Sequence, residues 1–219
     1  MVARLGRRRL LGRGAAGFVL CLNGMALAQA PRPVRLLMLG DSITAAYGLA
    51  RGEGLPAKLE AALRAKGHEV TVIDAGVSGD TTAGGRARLD WALAERPDAV
   101  IVALGGNDGL RGIEPRNSYS NLKGILDALK ARNLPTLLAG MLAPPNLGAD
   151  YGREFAEVFQ TLARENPDIV FYPFLLEGVA GEAELNQPDR IHPNPRGVDE
   201  MVRRMVPAVE TLLSKVRPA

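Results

Sequence analysis

The chain has 219 residues, 47% hydrophobic and 23% charged, enough for one domain with a full apolar core. Its formal net charge of +3 resides in the N-terminus. Residues 1–28 hold Arg4, Arg7, Arg8, Arg9 and Arg13 and no acidic residue, which leaves the remainder near −2. A body of that charge has no basic field with which to hold nucleic acid.

Residues 1–28 read as a cleaved secretory signal peptide. A basic region ends in Arg7-Arg8-Arg9, an apolar stretch runs from Ala15 to Leu22, and Ala26-Leu27-Ala28 is a small-x-small cleavage site. The apolar stretch is shorter than the roughly 20 residues of a spanning helix, so no stable membrane insertion is expected. The product is expected in the periplasm or outside the cell. The arginines leave both the Sec and the twin-arginine route open. Cys21, the only cysteine, lies within the leader, and Leu20 before it argues against a lipoprotein site. The mature chain therefore has no disulfide and depends on its core.

From there strand-like and helix-like segments alternate. Apolar runs predict strands at 34–39, 69–73, 99–104, 135–141 and 169–172. Helical spacing predicts helices over 55–66, 83–95, 118–132, 151–165 and 195–215, the last kinked or divided by Pro207. Residues 143–152 read as a long surface loop, of a length that is often functional. The alternation predicts a three-layer α/β/α sandwich: a five-stranded parallel sheet in flavodoxin-like order 2-1-3-4-5, with helices on both faces. With no repeat or linker, residues 29–219 are expected to form a single catalytic domain.

The unusual polar residues fall at the carboxyl ends of these strands, where open α/β sheets bind ligands. Ser42 follows the first, Gly79 the second and Asn107 the third, while Asp189 and His192 precede the last helix. A serine hydroxyl needs a base, and the base needs an acid to orient it. His192 is one of only two histidines, the other being His68 in a surface turn. It can take the Ser42 proton and later return it to a leaving group, with Asp189 fixing its tautomer. The oxyanion candidates are the backbone N–H groups of Ser42 and Gly79 and the Asn107 amide. Ser78 is the rival nucleophile, but Asp80 occupies the place of the final glycine in a G-x-S-x-G elbow. Taken singly, each motif has a simpler meaning: Ser42 as a turn serine, Asn107-Asp108-Gly109 as a turn, Asp189 or Asn194 as a helix cap. Their joint placement on one sheet edge favours the catalytic meaning. Asp41, Asp80 and Asp108 also follow strands and suggest a magnesium site, yet loop-stabilising hydrogen bonds are the preferred reading, with no metal or cofactor expected. Trp91 and the helical phenylalanines read as core or interface.

Gly40-Asp41-Ser42, Gly79, Gly105-Gly106-Asn107-Asp108 and Asp189-x-x-His192 resemble, in order, the four blocks of the SGNH (GDSL-type) hydrolases. Ser78-Gly79-Asp80-Thr81-Thr82, residues 105–112 and Ile191-His192-Pro193-Asn194 are similar to stretches of the bacterial thioesterase I/arylesterase/lysophospholipase group. The resemblance covers nearly all of the chain beyond the leader. It implies Ser42 as nucleophile, Asp189 and His192 as its partners, and Ser42, Gly79 and Asn107 as oxyanion donors. Asp41, Gly106, Ile191 and Pro145 are then expected to contact substrate. Ile43 stands where leucine more often follows the serine, and the Pro-rich loop at 142–146 leaves substrate preference open. The activity implied is hydrolysis of a small-molecule or lipid ester: aryl and short or medium acyl esters, extending to acyl thioesters and lysophospholipids. A carbohydrate O-acetyl esterase on the same machinery and a non-catalytic flavodoxin-like binding module are the alternatives. Oligomeric state is open.

Overall fold

The computed structural model describes Val2 and residues 32–217. The leader predicted over 1–28, Val2 apart, lies outside the described residues, as does its cleavage site. Five strands build one sheet: β1 (Val34–Gly40), β2 (Val70–Gly76), β3 (Ala99–Ala103), β4 (Thr136–Ala139) and β5 (Val170–Tyr172). All pairings are parallel, in the order β2-β1-β3-β4-β5. The chain crosses from β1 to β2 in one direction and then returns over β1 to β3. The strand order thus reverses at β1, and the β1/β3 boundary is the switch point where a crevice opens.

Every residue of β3 is buried, which requires cover on both faces of the sheet. Helix α1 (Leu55–Ala65) packs on β2 and on α7 (Pro195–Leu213). Helix α5 (Pro115–Ala131) packs on α2 (Thr82–Ala87) and on α6 (Ala149–Glu165). Their buried stripes recur at helical spacing, such as Phe155, Val158, Phe159 and Leu162 on α6. The phenylalanines read as core are buried there, but Trp91 is 73% exposed on the surface.

The fold is the predicted one, and the departures are local. The single helix expected over 83–95 is broken at Arg88 (φ −102°, ψ 7°) into α2 and α3 (Leu89–Leu93). No glycine or proline stands at the break; the Arg88 side chain turns back toward the sheet instead. The loop expected over 143–152 is mostly helical: a 3₁₀ turn at Pro145–Leu147 leads through Gly148 (φ +90°) into α6. Helix α7 is undivided despite Pro207, because the stripe of Met201, Val202, Met205, Val206, Val209 and Leu212 is buried on both sides of it. Strand β2 runs three residues past its expected end, its ladder continuing to Gly76 opposite Gly40 although the apolar run stops.

Candidate active site

Gly40 and Gly76 close β1 and β2 side by side, and neither tolerates a side chain. A Cβ on Gly40 would lie 1.9 Å from Thr44 Oγ1, and one on Gly76 would lie 2.3 Å from the Ala45 nitrogen. The chain turns tightly over this gap through Ser42, with Ala45 N–H donating to the Asp41 carbonyl (2.9 Å) and Tyr47 N–H to the Ser42 carbonyl (3.0 Å). Ser42 is thereby held at the switch point.

His192 arrives from the opposite side, on the loop before α7. Asn194 caps that helix by accepting from Arg196 and Gly197 N–H, both at 3.0 Å, and its own amide donates to the Glu184 and Asn186 carbonyls. Gln187 N–H donates to the His192 carbonyl (2.8 Å). The Gln187 amide nitrogen donates to the Tyr47 carbonyl (2.8 Å) and the Pro193 carbonyl (3.0 Å), tying the histidine loop to the serine turn. The tyrosine ring lies against the imidazole, with centroids 4.7 Å apart.

The result brings His192 Nε2 within 2.8 Å of Ser42 Oγ, and Nδ1 within 2.7 Å of Asp189 Oδ2. Asp189 Oδ1 accepts from the backbone N–H of Ile191 (2.9 Å) and His192 (3.0 Å). Desolvation opposes ionisation of Asp189, but these backbone bonds and the imidazole outweigh it and hold the carboxyl at about 2. Ser78 is exposed on the loop after β2 and does not share this geometry.

Gly79 is exposed on the loop after β2, in the left-handed region (φ +85°). Among the described residues neither the Ser42 nor the Gly79 N–H donates a backbone hydrogen bond, so both are free to meet an anion. Asn107 sits in the short helix α4 (Gly106–Leu110), launched by Gly105 at φ +115° with the Phe159 ring packed where a Cβ would be. One Asn107 amide hydrogen is spent on the Asp80 carbonyl (2.9 Å), and Asp41 Oδ2 lies 3.5 Å away. Asp108 anchors this turn, accepting from Thr82 N–H and Oγ1 and from Ser118 Oγ. Asp80 pairs with Arg88 (2.5 Å). The three strand-end acids thus have separate hydrogen-bonding partners, as the loop-stabilising reading expects.

A cleft of about 380 Å³ opens over Ser42, Asn107 and His192, and Asp41, Gly106, Pro145 and Ile191 all line it, while Gly79 does not. Its walls are chiefly apolar: Ile43, Leu110, Met141, Leu142, Phe174 and Leu176. A larger hollow, about 590 Å³, lies where β3 and β4 begin, beside Pro97 and Pro135, far from any serine–histidine pair. Tyr47, Gln187 and Arg88 escaped the sequence reading because their roles depend on side-chain reach, which has no periodicity.

Asp41 is on the cleft floor but only 2% exposed, its Oδ1 accepting from Ile43 N–H at 3.1 Å. Desolvation pushes its carboxyl up from the ordinary 3.8 to about 6. The folded state therefore favours the protonated acid. The cost of burying the charge is absent below pH ~4, grows as pH rises from there through ~6, and then levels off. At 1.36 kcal/mol per pH unit the full cost is on the order of 2–3 kcal/mol. Asp41→Asn keeps an acceptor for Ile43. It is expected to raise stability in urea at pH 8 by on the order of 1–3 kcal/mol, with the gain gone near pH 4. Equal midpoints for both proteins at pH 8 would refute the buried charge.

Against known proteins, the pattern of the GDSL-like lipase/acylhydrolase family matches residues 38–199. The chain is 39% identical over 194 residues to esterase TesA of Pseudomonas aeruginosa, covering 88% of this chain and 96% of that one. It is 38% identical over 179 residues to thioesterase 1/protease 1/lysophospholipase L1 of Escherichia coli K12, covering 80% and 84%. The crystal structure of AlinE4, an SGNH-hydrolase family esterase, superposes with a TM-score of 0.70 at 47% identity, covering 84% of this chain and 99% of that one. With the family pattern spanning most of the chain and such relatives matching it nearly end to end, the chain belongs to the GDSL-like lipase/acylhydrolase family.

Proposed function

We propose that this protein is an exported serine esterase that hydrolyses carboxylic esters through an acyl-Ser42 intermediate. The observation that carries the reading is the continuous chain from Ser42 Oγ through His192 to Asp189, at 2.8 and 2.7 Å. His192 Nε2 takes the hydroxyl proton as Oγ attacks the ester carbonyl. The tetrahedral oxyanion is met by the N–H groups of Ser42 and Gly79 and by the Asn107 amide. His192 then gives its proton to the departing alcohol. Water, activated by the same imidazole, releases the acid.

The apolar walls of the cleft favour an acyl or aryl group over a sugar, which needs polar partners. That places aryl and short or medium acyl esters ahead of acetylated carbohydrates. The name of the Escherichia coli relative extends the class to acyl thioesters and lysophospholipids. Residues 29–219 act as one catalytic domain. The arginine-rich leader and its apolar stretch export it to the periplasm or beyond. Among the described residues no helix is long and apolar enough to cross a membrane.

The test is labelling with a fluorophosphonate followed by peptide mapping. The expected outcome is a single modified residue, Ser42. Modification elsewhere, or none, would sink the reading, and a binding module without chemistry would show none.

A further inference from the structure

We infer that Arg88 is a positioning residue that fixes the oxyanion donors relative to the nucleophile; this rests on the reading of Ser42 above. Its guanidinium is held between two loops of the site. Nε donates to Asp80 Oδ2 (2.5 Å), and Nη2 donates to the Gly40 carbonyl (2.8 Å). Asp80 adjoins Gly79, and Gly40 stands two residues before Ser42. One planar fork therefore joins the loop carrying one oxyanion donor to the strand end carrying the nucleophile. The Gly40 carbonyl also accepts from Val77 N–H (3.1 Å), the first residue of that same loop.

The surroundings are shaped for this contact. The helix breaks at Arg88 with no glycine or proline to break it, and the break turns the side chain inward. Gly84 leaves room for the Asp80 carboxylate: a Cβ there would lie 2.5 Å from Oδ1. The remaining nitrogen, Nη1, is buried without a partner among the described residues, so Asp80 and Gly40 alone set where the guanidinium lies. Asp80 is gripped from both ends, its carboxylate by Arg88 and its carbonyl by the Asn107 amide. A shift of Asp80 would thus move two donors at once, Gly79 N–H through the chain and Asn107 through its hydrogen bond. The left-handed Gly79 has no hydrogen bond from its own N–H to hold its aim, so the aim depends on this grip together with Arg111 Nη2 donating to the Gly79 carbonyl (2.8 Å) and Asp80 N–H donating to the Val77 carbonyl (3.0 Å). A lysine keeps the charge but, as a point donor, cannot span both acceptors in the plane of the fork.

The experiment compares wild type, Arg88→Lys and Asp80→Asn on a short-chain aryl ester, with thermal melting of each. Inhibition by an alkylboronic acid is measured alongside; its tetrahedral adduct on Ser42 presents an oxygen to the same donors. In both variants kcat is expected to fall on the order of 10- to 100-fold with KM little changed, the scale of a small misplacement at the reacting centre. The boronate inhibition constant should rise by the same factor as kcat/KM falls. If Arg88→Lys melts early, Asp80→Asn must still show the loss in kcat and in boronate affinity. Folded variants with wild-type kcat and boronate affinity, or a loss confined to KM or to melting temperature, would overturn the assignment. A wild type that is neither labelled at Ser42 nor inhibited by the boronate would instead overturn the underlying reading and the assignment with it.

Discussion

Asp189→Asn is expected to lower kcat by about 10⁴ while leaving the fold and KM nearly unchanged, the scale seen when the acid of such a triad loses its charge but keeps its shape. The geometry explains why so small a change does so much. Asp189 Oδ1 accepts two backbone N–H groups, from Ile191 and His192, which fix the carboxylate in the loop. Oδ2 then has one task, accepting from His192 Nδ1 at 2.7 Å. An asparagine keeps its oxygen on the two N–H donors and turns its amide nitrogen on Nδ1. Nδ1 must then be the acceptor, so the ring proton moves to Nε2, where Ser42 Oγ waits 2.8 Å away. A protonated Nε2 cannot receive the hydroxyl proton. The Asp189 carboxyl, held at about 2, is ionised across the working pH range, so its own titration does not shape an activity profile above pH ~4. Steady-state kinetics at pH 7.5 with an aryl ester checks the prediction. A loss of less than ~10-fold would mean the imidazole is oriented by other groups, Tyr47 and the Gln187 clamp first among them.

Asp189 and Asp41 show how one small site keeps two carboxyls in different states. Both lie near the imidazole. Desolvation opposes ionisation of both, but three hydrogen bonds reverse it at Asp189. At Asp41 burial dominates, and the Ile43 N–H, the nearby His192 and its own backbone N–H offset it only in part. Carboxyls pushed apart in this way serve different ends. In the proposed mechanism Asp189 orients the base, while burial of the Asp41 carboxyl carries a cost in stability.

What the sequence disclosed follows from which physical signals are local. Buried parallel strands must be apolar throughout, so β1 and β3 stood out, and with strand positions known the edge carrying Ser42, Gly79 and Asn107 could be counted off. Asp189 and His192 were legible because histidine is scarce here. The end of β2 was not, since Asp74-Ala75-Gly76 is held by its ladder to β1 rather than by its own pattern. The break at Arg88 was hidden because helical spacing continues through it to Leu89 and Leu93, and the cause is a contact with Gly40, 48 residues away in sequence. Asn107-Asp108-Gly109 looked like a turn because its helix is only five residues long and owes its start to Gly105 packing on Phe159. Trp91, read as core or interface, is not in the core: Leu89 and Ala92, three residues apart, share the buried face of α3, and Trp91 between them turns outward.

Asn107→Ala should lower kcat by about 10²–10³, the usual scale for one oxyanion donor, with a smaller change in KM. The amide nitrogen has two hydrogens, and the one on the Asp80 carbonyl fixes the plane of the group. The other has only a long contact, to Asp41 Oδ2 at 3.5 Å. That long contact leaves the hydrogen available for an anion that exists only in the transition state, and the loss must then appear in kcat rather than in substrate binding. Asn107→Asp sharpens the test. It matches the shape of the amide but removes the donor and sets a second carboxylate beside that of Asp41, where two like charges cannot both be held cheaply. At pH 8 it should be at least as damaging as alanine. As pH falls and the pair takes up a proton, it should recover part of its stability. Turnover in Asn107→Ala equal to that of wild type would remove Asn107 from the oxyanion site and leave the backbone N–H groups of Ser42 and Gly79 to carry the charge.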